Sequence, residues 1–394
     1  MNIRRITRFT YVLAITVLIV GLSACDQLVS ILSDDDMPET QDGAISIGVV
    51  LSLTGRFSTP FGQPIWQSFE LALEEINNTR PNDAQLTFIT EDDGSTVAGA
   101  VEAYKKLISQ GVPVILGPAT SSATEQAFPI AQENQVVAFS PTSAARGLSA
   151  LGDFLFRAAL TTDVLIPDGI RVTHTKLDYK KVATMYDEND VFSRDSDEAV
   201  REVLMERGVE VLTTETFQGG DTDFRAQLTR IKALEPDAIF VSSLSPEKPG
   251  ILIQGREIGI PADVPFIVRT LTSADVEAAG AAAAEGAITF VGWSSVADTP
   301  GNHAFVENYR ARYGMEPSNY AARSYAAVHI LAEAIDNAQL TGSMATDSMA
   351  IRDALANIMD LPTIFGDFSF DENGDAVYEP KVLIVKNGQL ESFE

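Results

Sequence analysis

The stretch Val112–Phe128, VPVILGPATSSATEQAF, reads as a short apolar strand, a stop at Gly117-Pro118, and a helix that opens behind Thr and Ser residues. A strand that halts and restarts as a helix leaves backbone N–H groups free at the helix start, where a carboxylate or similar polar head can sit. The alternative is that Ser121 or Ser122 serves as the helix cap. Either way the fragment is a strand-loop-helix unit, and the same rhythm runs outward from it. Upstream, ISIGVVLSL from Ile45 precedes a helix near Pro64–Asn77, and LTFIT precedes one over Thr96–Ser109; downstream, a helix over Ala123–Asn134 leads into VVAF. Val97, Val101, Tyr104 and Ile108 fall three or four residues apart and predict one apolar stripe laid against a parallel sheet.

A second series follows. KVATMY, VEVLTT, AIFVS, FIV and AITFV are strand-like, with helical segments such as Ser196–Arg207 and Thr222–Ala233 between them. Two series with a break near Arg157–Asp163 predict an α/β protein of two doubly wound parallel-sheet lobes, not the eight even units of a barrel. Helices over Asn302–Tyr313, Ser318–Asn337 and Asp347–Ile358 follow, and KVLIVKNGQLES forms a hairpin turning at Asn387-Gly388.

Composition narrows the chemistry. A chain of 394 residues with 45% apolar content can build two ordinary domains. Its 28 Lys and Arg against 55 Asp and Glu give a charge of −27, which argues against nucleic acid as a partner. Three His and one Cys cannot form a His/Cys metal cage or a disulfide framework. G-x-S-x-G, G-x-x-x-x-G-K-[ST], G-x-G-x-x-G and H-E-x-x-H are all missing, so neither an enzyme activity nor a cofactor is predicted. DENGD at Asp371–Asp375 starts like a calcium loop, but Ala376 and Val382 stand where that loop needs Gly and Glu, so it reads as a β-turn.

The N-terminus, MNIRRITRFTYVLAITVLIVGLSAC, has three Arg, an apolar run too short to span a membrane comfortably, and small residues at its end. Leu22-Ser23-Ala24-Cys25 resembles the bacterial lipobox, which implies a signal peptide over residues 1–24 and lipid attachment at Cys25. The acidic stretch within residues 25–44 then reads as a tether.

In open parallel sheets, ligands bind beyond the C-terminal strand ends. The punctuated polar loops fall there: LTGRFSTPFG, EDDGS, GPATSS and SPTSAARG in the first series, DENDVFS, SSLSPE and RTLTS in the second. Hydroxyls mixed with Phe61, Phe192 and Trp66 suit a small ligand with a polar head and an apolar body.

Taken together, ISIGVVLSLTGRFSTPFGQPIWQSFELALEEIN, FITEDDGS, VILGPATSSAT, VVAFSPTSA and DAIFVSSLSPE resemble the type I periplasmic binding proteins of the branched-chain amino acid class, substrate-binding lipoproteins of ABC transporters. The resemblance covers Ile45–Glu394. It implies a Venus-flytrap fold whose chain crosses between lobes near Leu160, Val291 and Glu379, with lobe I over 45–159 and 292–378 and lobe II over 160–291 and 379–394. It further implies a monomer, lipid-anchored at the periplasmic or extracytoplasmic face of the cytoplasmic membrane. Its partners would be a small-molecule solute and an ABC permease and ATPase complex.

Site residues follow from the same resemblance. In the family's amino acid binders, a Ser after the third strand and a Thr plus a backbone group after the fourth hold the carboxylate. Ser121 matches that Ser and Ser143 the backbone contact, with Ser122 and Thr142 beside them, while Ala144 stands where the Thr usually is. Phe61 and Phe192 replace Tyr residues, and Ser245 or Leu244 replaces a further aromatic. The acid that receives the ammonium falls at Thr270, preceded by Arg269. An unpaired buried ammonium is costly, so Thr270 speaks against a zwitterionic amino acid, and an inward Arg269 would favour an organic or aromatic acid. Asp92, Asp93, Asp187 or Asp190 as a substitute acid keeps amino acids and amides open. The same fold also serves as a sensor domain or as a lipoprotein activator of a cell-wall synthase.

Overall fold

The computed structural model describes residues 44–393; the expected signal peptide and the expected lipid site at Cys25 lie outside them. The chain opens as β1 (Ile45–Leu51), α1 (Gln63–Asn77), β2 (Leu86–Asp92), α2 (Val97–Ser109), β3 (Val114–Leu116), α3 (Ser121–Glu133), β4 (Val137–Ser140) and β5 (Leu155–Arg157). It continues through α4 (Thr162–Leu177), β6 (Lys181–Asp187), α5 (Val191–Glu206), β7 (Glu210–Phe217), α6 (Arg225–Ala233), β8 (Ala238–Ser242), α7 (Glu247–Glu257), β9 (Phe266–Arg269), α8 (Ser273–Ala279), α9 (Ala281–Ala284) and β10 (Ile288–Val291). The last part comprises α10 (Asn302–Tyr313), α11 (Asn319–Asn337), α12 (Met344–Ala356), β11 (Leu361–Thr363), β12 (Gly366–Phe370), β13 (Ala376–Val377), β14 (Lys381–Lys386) and β15 (Gln389–Ser392).

The first sheet is wholly parallel in the order β2-β1-β3-β4-β5. The second runs β15-β14-β10-β9-β8-β6-β7, parallel from β6 to β10 and closed by an antiparallel hairpin. Strands β3, β8, β9 and β10 are buried at every position, as expected when helices cover both faces of a parallel sheet. A small antiparallel sheet, β11-β12-β13, completes the fold. The helices α10 to α12 and this small sheet share one core with the first sheet, in which Phe139, Phe305, Leu331, Ile351 and Phe370 are all buried. The chain therefore passes from the first sheet to the second after β5, returns after β10, and passes over again between β13 and β14.

Two expectations need correcting. In α2 the buried face is Ala100, Ala103, Tyr104 and Leu107, with Val97 exposed, because small alanines let the helix axis approach the sheet closely while larger side chains flank the contact. Helix α5 starts at Val191, five residues before Ser196, because the Asp190 carboxylate accepts the Ser193 N–H and caps it there.

Candidate functional site

Each parallel sheet reverses its strand order once, between β1 and β3 in the first and between β6 and β8 in the second. At such a point the loops leave toward opposite faces and open a crevice at the C-terminal strand ends. The two crevices form one cavity of 220 Å³, lined by Ser52, Arg56 and Ser122 from the first sheet's loops and by Asp187, Asp190 and Leu244 from the second's. Close backbone packing shapes the first wall: a Cβ at Gly117, whose φ is +113, would stand 2.1 Å from the Val50 carbonyl oxygen.

Polar contacts join the two walls. The Ser122 hydroxyl donates to Asp190 Oδ1 at 2.8 Å and accepts the Val191 N–H at 3.0 Å, so the start of α3 is tied to the start of α5. Arg56 pairs with Glu247, whose Oε1 also accepts the Gly220 N–H at 2.7 Å. Arg146 donates through Nε to Asp195 at 2.6 Å and through its backbone N–H at 2.9 Å. Burial raises the carboxyl groups of Asp190, Asp93 and Glu247 above their ordinary range, against the hydrogen bonds that favour their ionised forms.

At the β3–β4 corner every hydroxyl is engaged internally. Thr120, not Ser121 or Ser122, caps α3, its Oγ1 accepting the Ala123 N–H at 3.4 Å. The Ser121 hydroxyl, 2% exposed, instead accepts the backbone N–H groups of Ala144 and Ala145 at 3.1 and 3.2 Å. Thr142 donates to the Ala119 carbonyl at 2.6 Å, and Ser143 to the Ser140 hydroxyl at 2.7 Å. In the second sheet, Ser245 lies in a buried network in which it donates to Asp275 at 2.6 Å beside the Lys248 ammonium.

A shared apolar core also joins the two sheets. Phe192 from the first turn of α5 and Leu244 from the loop after β8 join the same apolar core as Phe61, Tyr320, Trp293 and Tyr378. Phe61 packs on Tyr320 with ring centroids 4.4 Å apart, whereas Trp66 turns away onto Phe88 at 6.3 Å. Arg269 lies buried over the Phe192 ring at 5.3 Å, and its Nη1 donates to Thr270 Oγ1 at 3.0 Å and to the Phe290 carbonyl at 3.3 Å. Thr270 has φ +57, rare for a β-branched residue, and the Lys248 ammonium donates to its carbonyl at 2.6 Å. Arg323, also buried, lies over Tyr320 at 5.3 Å and donates through Nε to the Asn319 carbonyl at 3.2 Å.

A model of the periplasmic binding protein family matches residues 44–388, nearly all of the described chain. The chain belongs to the periplasmic binding protein family. Among curated proteins it is 26% identical over 310 residues to the leucine-, isoleucine-, valine-, threonine- and alanine-binding protein of Pseudomonas aeruginosa, covering 77% of this chain and 80% of that one. Among solved structures, the leucine-binding protein LivK of Thermotoga maritima superposes with a TM-score of 0.81 at 26% identity, over 89% of this chain and 98% of that one. The branched-chain amino acid substrate-binding protein LivJ of Streptococcus pneumoniae, in complex with isoleucine, gives 0.80 at 29% identity with the same coverage. A solute-binding protein of R. palustris in complex with benzoate shares the fold at 21% identity, with a TM-score of 0.79 over 89% of this chain and 96% of that one.

This periplasmic binding protein thus has the two-lobed type I fold, and it is not an enzyme. Of the residues singled out in the sequence, the structure brings Phe192, Arg269 and Thr270 into direct contact and sets Ser122 at the junction of the two walls. Ser121, Thr142, Ser143 and Ser245 are buried in internal bonds. Tyr320 and Arg323 went unnoticed. Their signal is a charged residue three positions after Tyr320 in a helix whose buried side is mostly alanine and aliphatic residues.

Proposed function

We propose that the protein is the extracytoplasmic solute receptor of an ABC importer, closing its two lobes on a small carboxylate-bearing solute. The solutes bound by its relatives support this reading, and one observation carries it: the two chain-reversal crevices share one cavity, and Ser122 reaches across to Asp190 and Val191. In this reading lobe I is 45–159 with 292–378, and lobe II is 160–291 with 379–394. Phe61, Ser122, Phe192, Arg269 and Thr270 face the solute, while Ser121, Thr142, Ser143 and Ser245 hold the walls in shape. Closure traps the solute away from water, so that apolar burial and charge pairing both gain strength.

The test is a distance measurement across the cavity mouth, with spin labels at the exposed positions Ala98 and Asp223. Adding a bound solute shortens and narrows the distance distribution; binding without any change would mark a rigid recognition module. Lipid anchoring at Cys25 belongs to the same proposal. Cys25→Ser should abolish metabolic lipid labelling, and equal labelling of both forms would contradict the anchor.

A further inference from the structure

Among the described residues, the buried basic side chains Arg157 and Lys248 are paired with carboxylates. Arg157 lies on Asp375 at 2.6 Å, Lys248 sits beside Asp275, and the buried Asp197 accepts from Arg201 at 2.7 Å. Arg269 and Arg323 depart from that pattern. Arg269 is 3% exposed, and its Nε and Nη2 are buried with no partner among the described residues. Arg323 is 5% exposed, and among the described residues only its Nε hydrogen-bonds to protein. The two cations also act on each other: burial and then the charge of Arg323 bring the Arg269 guanidinium down to about 9.

Groups nearby do not neutralise them. Asp195, the carboxylate felt by Arg269, is bound on both oxygens by Arg146. Tyr378 stays neutral, its hydroxyl raised by burial to about 12. Asp275 is taken by Ser245 and Thr272. Two neighbouring buried guanidinium groups without a carboxylate are unfavourable unless an anion joins them, and guanidinium donors match a carboxylate in a planar, bidentate way. The Phe192 and Tyr320 rings beneath the two cations hold their planes in place.

We propose that Arg269 and Arg323 form the acid-reading subsite of the cleft, and that the solute is an organic carboxylate with no ammonium on the carbon next to the acid. This rests on the solute-receptor reading and names its substrate class. An α-amino acid whose carboxylate met these arginines would press its ammonium against the same two cations. Thr270, whose hydroxyl already accepts from Arg269, offers no charge to receive it. The ring floor of Phe61, Phe192 and Tyr320 suits an apolar or aromatic body behind the acid.

The experiment measures affinity of the full chain in detergent for matched pairs that differ only beside the acid: 4-methyl-2-oxopentanoate against leucine, and phenylpyruvate against phenylalanine, with benzoate as a rigid third acid. The expected result is that an acid binds at least about tenfold more tightly than its amino acid partner. Arg269→Met and Arg323→Met should each weaken that acid by about 100-fold, Arg269→Lys by less, because a charge remains without the fork. Thermal unfolding of each variant without ligand controls for folding, and the melting temperature should hold or rise, since an unpaired charge has left the interior. Tighter binding of leucine or phenylalanine, undiminished by either Met variant, would overturn the proposal and leave the receptor standing. Binding of no probe from either class would overturn both.

Discussion

Two buried corners of the fold use their polar groups in opposite ways. At the β3–β4 corner, the Ser121, Thr142 and Ser143 hydroxyls bond to backbone and to Ser140. At the β9–α11 corner, Arg269 and Arg323 are as deeply buried but leave guanidinium nitrogens without partners among the described residues. A buried polar group that is satisfied in the protein supports the fold; one that is not costs stability and keeps its bonding capacity for a further partner. Residue type alone did not separate the corners, because in the family pattern the serines were the ligand-holding residues.

The largest expected effect sharpens this contrast within one residue type. Asp375→Ala leaves Arg157 as an uncompensated buried charge and should cost about 3 to 5 kcal/mol of stability, measured by denaturant unfolding. Arg269→Met, at comparable burial, should cost nothing or stabilise the protein. Similar losses at both sites would erase the distinction. Next in size is Ser121→Ala, which orphans the buried N–H groups of Ala144 and Ala145 and should cost about 1 to 3 kcal/mol of stability with little change in solute affinity. A loss of affinity with intact stability would move Ser121 to the ligand-reading side. Ser122→Ala removes a single contact between the walls and should lower the closed population by about 0.5 to 1.5 kcal/mol, visible as a broader label distance across the mouth.

The smallest effect is in pH. Burial raises the Asp190 carboxyl, so its ionised form is less favourable in the folded protein than in the unfolded chain. As pH falls through its folded value, the native protein takes up the proton before the unfolded chain does, and stability from this group rises until the unfolded carboxyl also titrates. Asp190→Asn should flatten that rise in unfolding measured between neutral and mildly acidic pH. An unchanged pH profile would show that Asp190 is not the titrating group.

The alternating strands and helices were legible because a strand buried on both faces is a short apolar run, as VPVIL and AIFVS are. Helix starts were less so: α5 opens at a cap, Asp190, whose carboxylate also reaches the other wall. The contacts between walls could not be read at all, since Arg56 and Glu247 lie far apart in sequence and only the fold brings them together. Arg269 was visible as an oddity beside Thr270, but its burial was not. Arg323 was hidden in a helix that reads as core, where a charge stays buried only because neighbouring rings and the helix backbone hold it.

The most direct test is a crystal structure of the protein with the acid that binds most tightly. The solute's carboxylate should lie within about 3 Å of the guanidinium nitrogens of Arg269 and Arg323, with its body on Phe61 and Phe192. A carboxylate held instead by Ser121 and the Ala144 and Ala145 amides, with both arginines untouched, would contradict the account.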